Sequence, residues 1–372
     1  MNIKNKAVLL LFFILALLSN SGFSQNSPSG TVKEDLTAEN MLLWQRSYGG
    51  WPKDTYNVFF DDTKADPKDQ HPEPVKVLIS YNKVQTEAQK ALALASKDLP
   101  DATNDNEHTV QEIRYLLGAF KTTGNKRYRD GAERGIAYLL KAQFPTGGWP
   151  MFYPDKRSYK GYITYNDNNM GNVMNLMFDL AHGINQTDGL SSKYAGLAKT
   201  AFNKGLEVIL KTQITVNGQK AVWCAQHDPV TLLPVKARSY ELPSLSGSES
   251  VGIVEVLMRV ENPSARIKEA IKTATGWFEN TKIVGYKTMR VTDANQPKGV
   301  DVVVVPDAGS TIWARFYDLD TNKPYFCDRD GIKKQTLAEI GNERRTGYSW
   351  YGTWPEKLIK TDYPAWKKKW AD

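Results

Sequence analysis

Apolar residues recur along most of this chain at steps of three and four. In VQEIRYLLGAFKTTG, Val110, Ile113, Leu117 and Phe120 fall on one helical face, and the run stops at Gly124. The same spacing places Met170, Val173, Met174, Met177 and Ala181 on one side of NNMGNVMNLMFDLAHGI, where the methionines read as core packing. Further helical runs cover residues 84–96, 128–143, 194–213, 248–260 and 264–281, with short ones near 335–342 and 355–361. Strand signals are few. Asn217-Gly218 between short β-branched runs predicts a hairpin, and GVDVVVVPD (299–307) predicts one strand.

A phrase repeats at the helix ends. Gln45 and Trp51 stand six apart in QRSYGGWP, and so do Gln143 and Trp149 in QFPTGGWP. QITVNGQKAVW is a looser third copy. Glycines between glutamine and tryptophan allow the left-handed backbone that stops a helix. A repeated helix-end phrase predicts helical hairpins arrayed about an axis with their loops at one rim, an all-α toroid rather than a four-helix bundle.

The first residues are set apart. Lys4 and Lys6 precede twelve apolar residues, too short a run to span a membrane, and small residues near Ser24 suit cleavage. Residues 1–24 therefore read as a signal peptide, 25–40 as a polar linker and 41–372 as one domain, exported to the periplasm or outside the cell. Export permits a disulfide between Cys224 and Cys327, and the sequence leaves that pairing open. Net charge is +7, or +5 once Lys4 and Lys6 are removed. That field suits a polyanion, but no nucleic-acid-binding signature accompanies it. A monomer is the default.

Familiar catalytic motifs are absent: no Gly-rich phosphate loop, no HExxH, no GxSxG, and four histidines without metal-ligand spacing. Two acidic clusters stand out instead. TNDNEHT (103–109) and TYNDNNM (164–170) each place Asn-Asp-Asn before a helix. Helix capping explains one side chain in each. The surplus of oxygens, from Asp105, Asn106 and Asp167, also fits a Ca2+ site. Downstream, Arg238 and Glu241 lie in a long polar loop, and Arg315, Arg344 and Arg345 lie among aromatics, a mixture suited to carboxylate recognition and sugar stacking.

Together, TYNDNNM, ARSYELPSLSGSESVGI, WARFYDLDTNKPYFCDRDG and ERRTGYSWYGTWP resemble family 10 pectate lyases, from about Gln45 to Pro355. The resemblance implies an (α/α)3 toroid with long loops and a few short strands. It also implies Ca2+-dependent β-elimination on polygalacturonate. By the same resemblance Arg238 is the base that takes the C5 proton. Asp105, Asn106 and Asp167 hold the metal, Asp105 also meets substrate, and Arg315, Arg329 and Glu241 bind substrate. Glu107 and His108 depart from the family pattern, which has small residues there. Two other readings remain open on the residues alone. An inverting glycoside hydrolase would use two carboxyl groups and leave no double bond. A pectin-binding module would grip the polymer without shortening it.

Overall fold

The computed structural model describes residues 33–53, 55–57, 76–190 and 192–370. The expected signal peptide, the linker up to residue 32, and His71 lie outside them. Lys33–Asp372 group as one unit. Helix α1 (Leu36–Trp44) begins inside the stretch expected to be linker. Asp35 caps it, accepting from the Ala38 amide at 2.9 Å, and the helix buries Ala38, Met41 and Trp44.

Seven helices follow: α2 (Glu87–Ala95), α3 (Val110–Thr123), α4 (Lys126–Ala142), α5 (Asn169–His182), α6 (Ser192–Thr212), α7 (Glu249–Met258) and α8 (Ala265–Thr281). All lie where the periodicity predicts, within a few residues. They pack as hairpins α3–α4, α5–α6 and α7–α8, with α3, α5 and α7 forming an inner row and α1, α4, α6 and α8 an outer one. Asp179 of α5 ties the inner row together. It accepts from Arg114 of α3 and from Arg259 at the end of α7, each at 2.6 Å.

The repeated phrase is a set of latches. Gln45, Gln143 and Gln213 each follow an outer helix, and each donates its amide to the next outer helix: to Gly131 O at 2.9 Å, Ala201 O at 2.8 Å and Ala270 O at 3.0 Å. Each tryptophan then folds back, its indole N–H donating to the carbonyl four residues before the glutamine. Trp51 reaches Met41 at 2.7 Å, Trp149 reaches Leu139 at 2.8 Å and Trp223 reaches Ile209 at 2.8 Å. A fourth copy escapes the sequence pattern. Trp313 donates to Phe278 O at 2.8 Å, but Lys282 stands in place of glutamine and a long insertion separates the two halves.

That insertion is an antiparallel ribbon, Ile283–Thr292 against Val300–Ala314, 10 and 15 residues long. It corrects the expectation of only short strands. The expected strand at 299–307 lies in its second arm. The first arm, IVGYKTMRVT, went unrecognised because it stands largely in solvent and carries no alternating apolar face. The Asn217-Gly218 hairpin forms as predicted, with φ of 49° and 79°. Two short helices close the chain, α9 (Asn342–Gly347) and α10 (Tyr363–Trp370). No helix among the described residues is long and apolar enough to cross a membrane. Cys224 and Cys327 are both buried and unpaired.

Besides the main helical core there is a second, aromatic one: Tyr240, Phe316, Tyr325, Phe326, Leu337, Ile340 and Trp350, with Tyr348 packed against it. It lies between the Arg238 loop, the end of the ribbon and α9, and so fixes the segments that carry the arginines.

Candidate active site

The segments preceding the three inner helices meet at one rim. Asp105, Asp167 and Glu249 each stand at the start of one, where the helix macrodipole favours negative charge. None of the three caps its helix in the usual way. The residues in the N-cap positions there, Asn104, Thr109 and Asn168, make no side-chain cap bond. Instead the turns are wound into positive φ: 49° at Asn106 and 67° at Glu107, then 51° at Asp167 and 55° at Asn168. Asn and Asp enter that region at low cost, which accounts for their repetition. Thr109, at φ 67°, is β-branched and strained there. Its hydroxyl donates to Thr103 O at 2.8 Å and accepts from the Trp51 amide at 3.2 Å, bonds that hold the turn.

Asp105 is 2% exposed and pairs with Lys53, while its Oδ1 has no hydrogen-bond partner. Asp167 lies beside it. Burial, and after it the charge of Asp105, pushes the Asp167 carboxyl up, against the pull of Arg315. Arg315 is 9% exposed and pairs with Glu249, reaches Asn166 Oδ1 at 3.4 Å and Asp167 Oδ1 at 3.6 Å, and lies over the Tyr348 ring at 4.8 Å. The cation–π contact and the planar fork fix the guanidinium's orientation.

Arg238 lines the same cavity as residues of the ribbon. Its Nη1 donates to Tyr240 Oη at 3.2 Å and Glu241 Oε1 at 3.4 Å, and its backbone N–H donates to Glu241 Oε2 at 3.0 Å. The Tyr348 hydroxyl donates to the same Glu241 Oε1 at 2.9 Å. Burial alone would pull the Arg238 guanidinium down; Glu241 and Tyr240 outweigh it, and the net direction is up. The substrate-free protein therefore holds Arg238 as a firm cation.

Asn166, Asp167, Arg238 and Arg315 line a single cavity of about 540 Å³, shared with Thr288, Arg290 and Val302 of the ribbon and with 345–351. Its size falls in the usual range for small-ligand sites, roughly 300–1,000 Å³. Three of the site residues expected from sequence thus share one cavity, and Asp105 adjoins it. Glu241 stands behind Arg238 and is turned to it and to Tyr348. Asn106 is exposed on its turn. Arg329 is not among the residues lining the cavity; it is exposed, pairs with Glu343 at 3.3 Å and lies 6.0 Å from the Tyr240 ring. His108 is buried against Glu112 Oε1 at 3.3 Å, facing its own helix.

Four members of the site went unseen in the sequence: Lys53, Glu249, Tyr348 and Arg290. A parallel for the first two emerges only with the fourth latch, which the sequence pattern hides. Lys53 comes two residues after Trp51, as Arg315 comes two after Trp313, and each cation grips an acid at an inner-helix start. Among the described residues no three His, Cys, Asp or Glu side chains converge as a metal cluster.

The pectic acid lyase family model matches residues 45–359. A family 10 polysaccharide lyase from Cellvibrio cellulosa is 34% identical, with a TM-score of 0.73 over 88% of this chain and 91% of that one. An aspartate-to-alanine mutant of the Cellvibrio cellulosa family 10 lyase, in complex with trigalacturonic acid, is 33% identical, with a TM-score of 0.73 over 90% and 92%. No curated protein matches. With the match running through nearly every element that builds the cavity, the chain belongs to the pectic acid lyases, as a family 10 polysaccharide lyase.

Proposed function

We propose that this pectate lyase cleaves demethylated polygalacturonate by Ca2+-dependent β-elimination, with Arg238 as the base. The observation that carries the reading is the shared cavity: Arg238, Arg315 and Asp167 line it together, and Asp105 adjoins it beside Asp167. In this reading the three helical hairpins close as an (α/α)3 toroid, supported by the inner and outer rows. Export agrees with a polymer too large to enter a cell.

The residues present fit a hard cation. Asp105 offers a buried oxygen without a partner, Asp167 a carboxylate whose pKa is pushed up by burial and then by the charge of Asp105, and Asn106 an amide oxygen on the turn that carries Asp105. These residues would hold Ca2+, leaving positions for substrate and water. When bound, the ion would neutralise acid groups that otherwise repel an acidic polymer and would favour the enolate-like charge developing at C5.

The remaining work falls to side chains. Arg315, backed by Glu249 and stacked on Tyr348, orients a sugar carboxylate. Arg238 starts as a cation tied to Glu241, which opposes its use as a base. Release is supported by the second donor on Glu241: Tyr348 continues to satisfy that carboxylate when Arg238 turns to the sugar. Loss of one guanidinium proton to water leaves a neutral guanidine that accepts the C5 proton; the C4–O bond breaks to leave a C4–C5 double bond, and the departing oxygen takes a proton from water to become a free sugar hydroxyl.

Purified protein on polygalacturonate should generate an ultraviolet-absorbing unsaturated product, and a chelator should stop it. Arg238→Ala should lower kcat by at least about a thousandfold, the scale of a lost principal catalytic group, while polymer binding stays within a few-fold. Undiminished turnover in metal-free buffer, or in the variant, removes the corresponding part of the mechanism.

A further inference from the structure

Four arginines line the cavity, and three are already matched by acids. Arg238 is held by Glu241 at 3.4 Å and Arg315 by Glu249. Arg345 donates to Asp301 at 2.8 and 2.7 Å, a two-pronged bond. Arg290 differs. Its one bond is a long one, 3.5 Å, to the Thr346 carbonyl, and among the described residues no carboxylate pairs with it. It is exposed, on the first arm of the ribbon, opposite Val302 and two residues from Thr288, so the three residues present one face to the cavity.

The wall that carries it is braced. Asn342 of α9 donates to Val300 O at 2.9 Å and to Asp301 Oδ1 at 3.1 Å, and Arg345 of the same helix grips Asp301. An uncommitted guanidinium on a fixed wall, facing a cavity that takes an acidic polymer, lacks only an anion. Near the acidic wall, Arg238 and Arg315 serve the reacting sugar. Arg238 and Arg315 both act on the charge of Asp167, whereas Arg290, on the ribbon, meets only the Thr346 carbonyl among the described residues and is left for a neighbouring unit.

We propose that Arg290 binds the carboxylate of a galacturonate unit away from the scissile bond, making the ribbon one wall of an extended substrate groove. This rests on the polygalacturonate reading above. Arg290→Gln should raise KM for polygalacturonate about tenfold, the value of one good charge-assisted contact, with kcat changed less than about twofold. For trigalacturonate the rise should be several-fold smaller. Arg290→Lys should fall between wild type and the glutamine variant on polymer. Calorimetric titration of polymer into the same proteins should rank them identically. An equal rise on polymer and trimer, or no rise on polymer, overturns the proposal. Wild-type protein that yields no absorbing product on either substrate would instead sink the lyase reading, and the titration would still decide on Arg290.

Discussion

Neither nitrogen of His227 is left over. In the neutral imidazole Nδ1–H donates to Leu232 O at 2.9 Å, and Nε2 accepts from the Cys224 amide at 3.3 Å. Burial lowers its pKa from 6.5 to about 4. Between those values the unfolded chain takes up a proton that the folded chain refuses, so stability is full above pH 6.5 and falls as pH drops toward 4. The whole loss is about 3 kcal/mol. Thermal unfolding followed across that window should show Tm falling with acid, and His227→Gln, less stable at neutral pH, should show a flatter slope. At this scale the sequence was legible where chemistry and spacing coincide. Asp105 and Asp167 announced themselves as surplus oxygens, and Arg238 and Arg315 through the resemblance. Glu249 and Lys53 did not, because each looks like an ordinary surface charge until the chain folds back. Tyr348 was hidden for another reason: its role lies in touching two residues distant in sequence, Glu241 and Arg315.

Among the elements, the outer helices were readable from periodicity and their latches from the Gln–Trp spacing. The fourth latch was not, since insertion of the ribbon broke the spacing while leaving the bond intact. The latches make a sharp demand on their glycines. Gly147 has φ 110°, and a Cβ there would collide with the Lys204 carbonyl oxygen on the next outer helix. Gly183, also at positive φ (62°), has open space where a Cβ would go. Gly147→Ala should therefore cost about 2–4 kcal/mol, and Gly183→Ala about 1 kcal/mol. Urea denaturation of both variants measures the difference. Equal losses would mean that the close approach of loop to helix contributes nothing.

Taken whole, the molecule draws its cavity from almost its full length: Asp105 and Asp167 from early turns, Arg238 from a mid-chain loop, Arg315 and Tyr348 from near the end. The chain carries net positive charge, and four arginines line its cavity, an arrangement that attracts a polyanion and gives its carboxylates partners there. The ribbon is where this continuity can be interrupted. Its arms are joined by Asp293–Gly299, largely in solvent, and remain paired from Tyr286 with Pro306 to Thr292 with Val300. A protease site engineered at Gln296–Pro297 and then cut should leave two fragments that elute together at the intact size and retain most lyase activity, since exposed loop tips tolerate nicking. Fragments that separate would show that the covalent tip, not the pairing, holds the arms. Such a break would turn one polypeptide into a self-assembled pair, with Arg238 on one piece and Arg315 on the other. Activity would then report reassembly, and the enzyme could serve as its own split reporter.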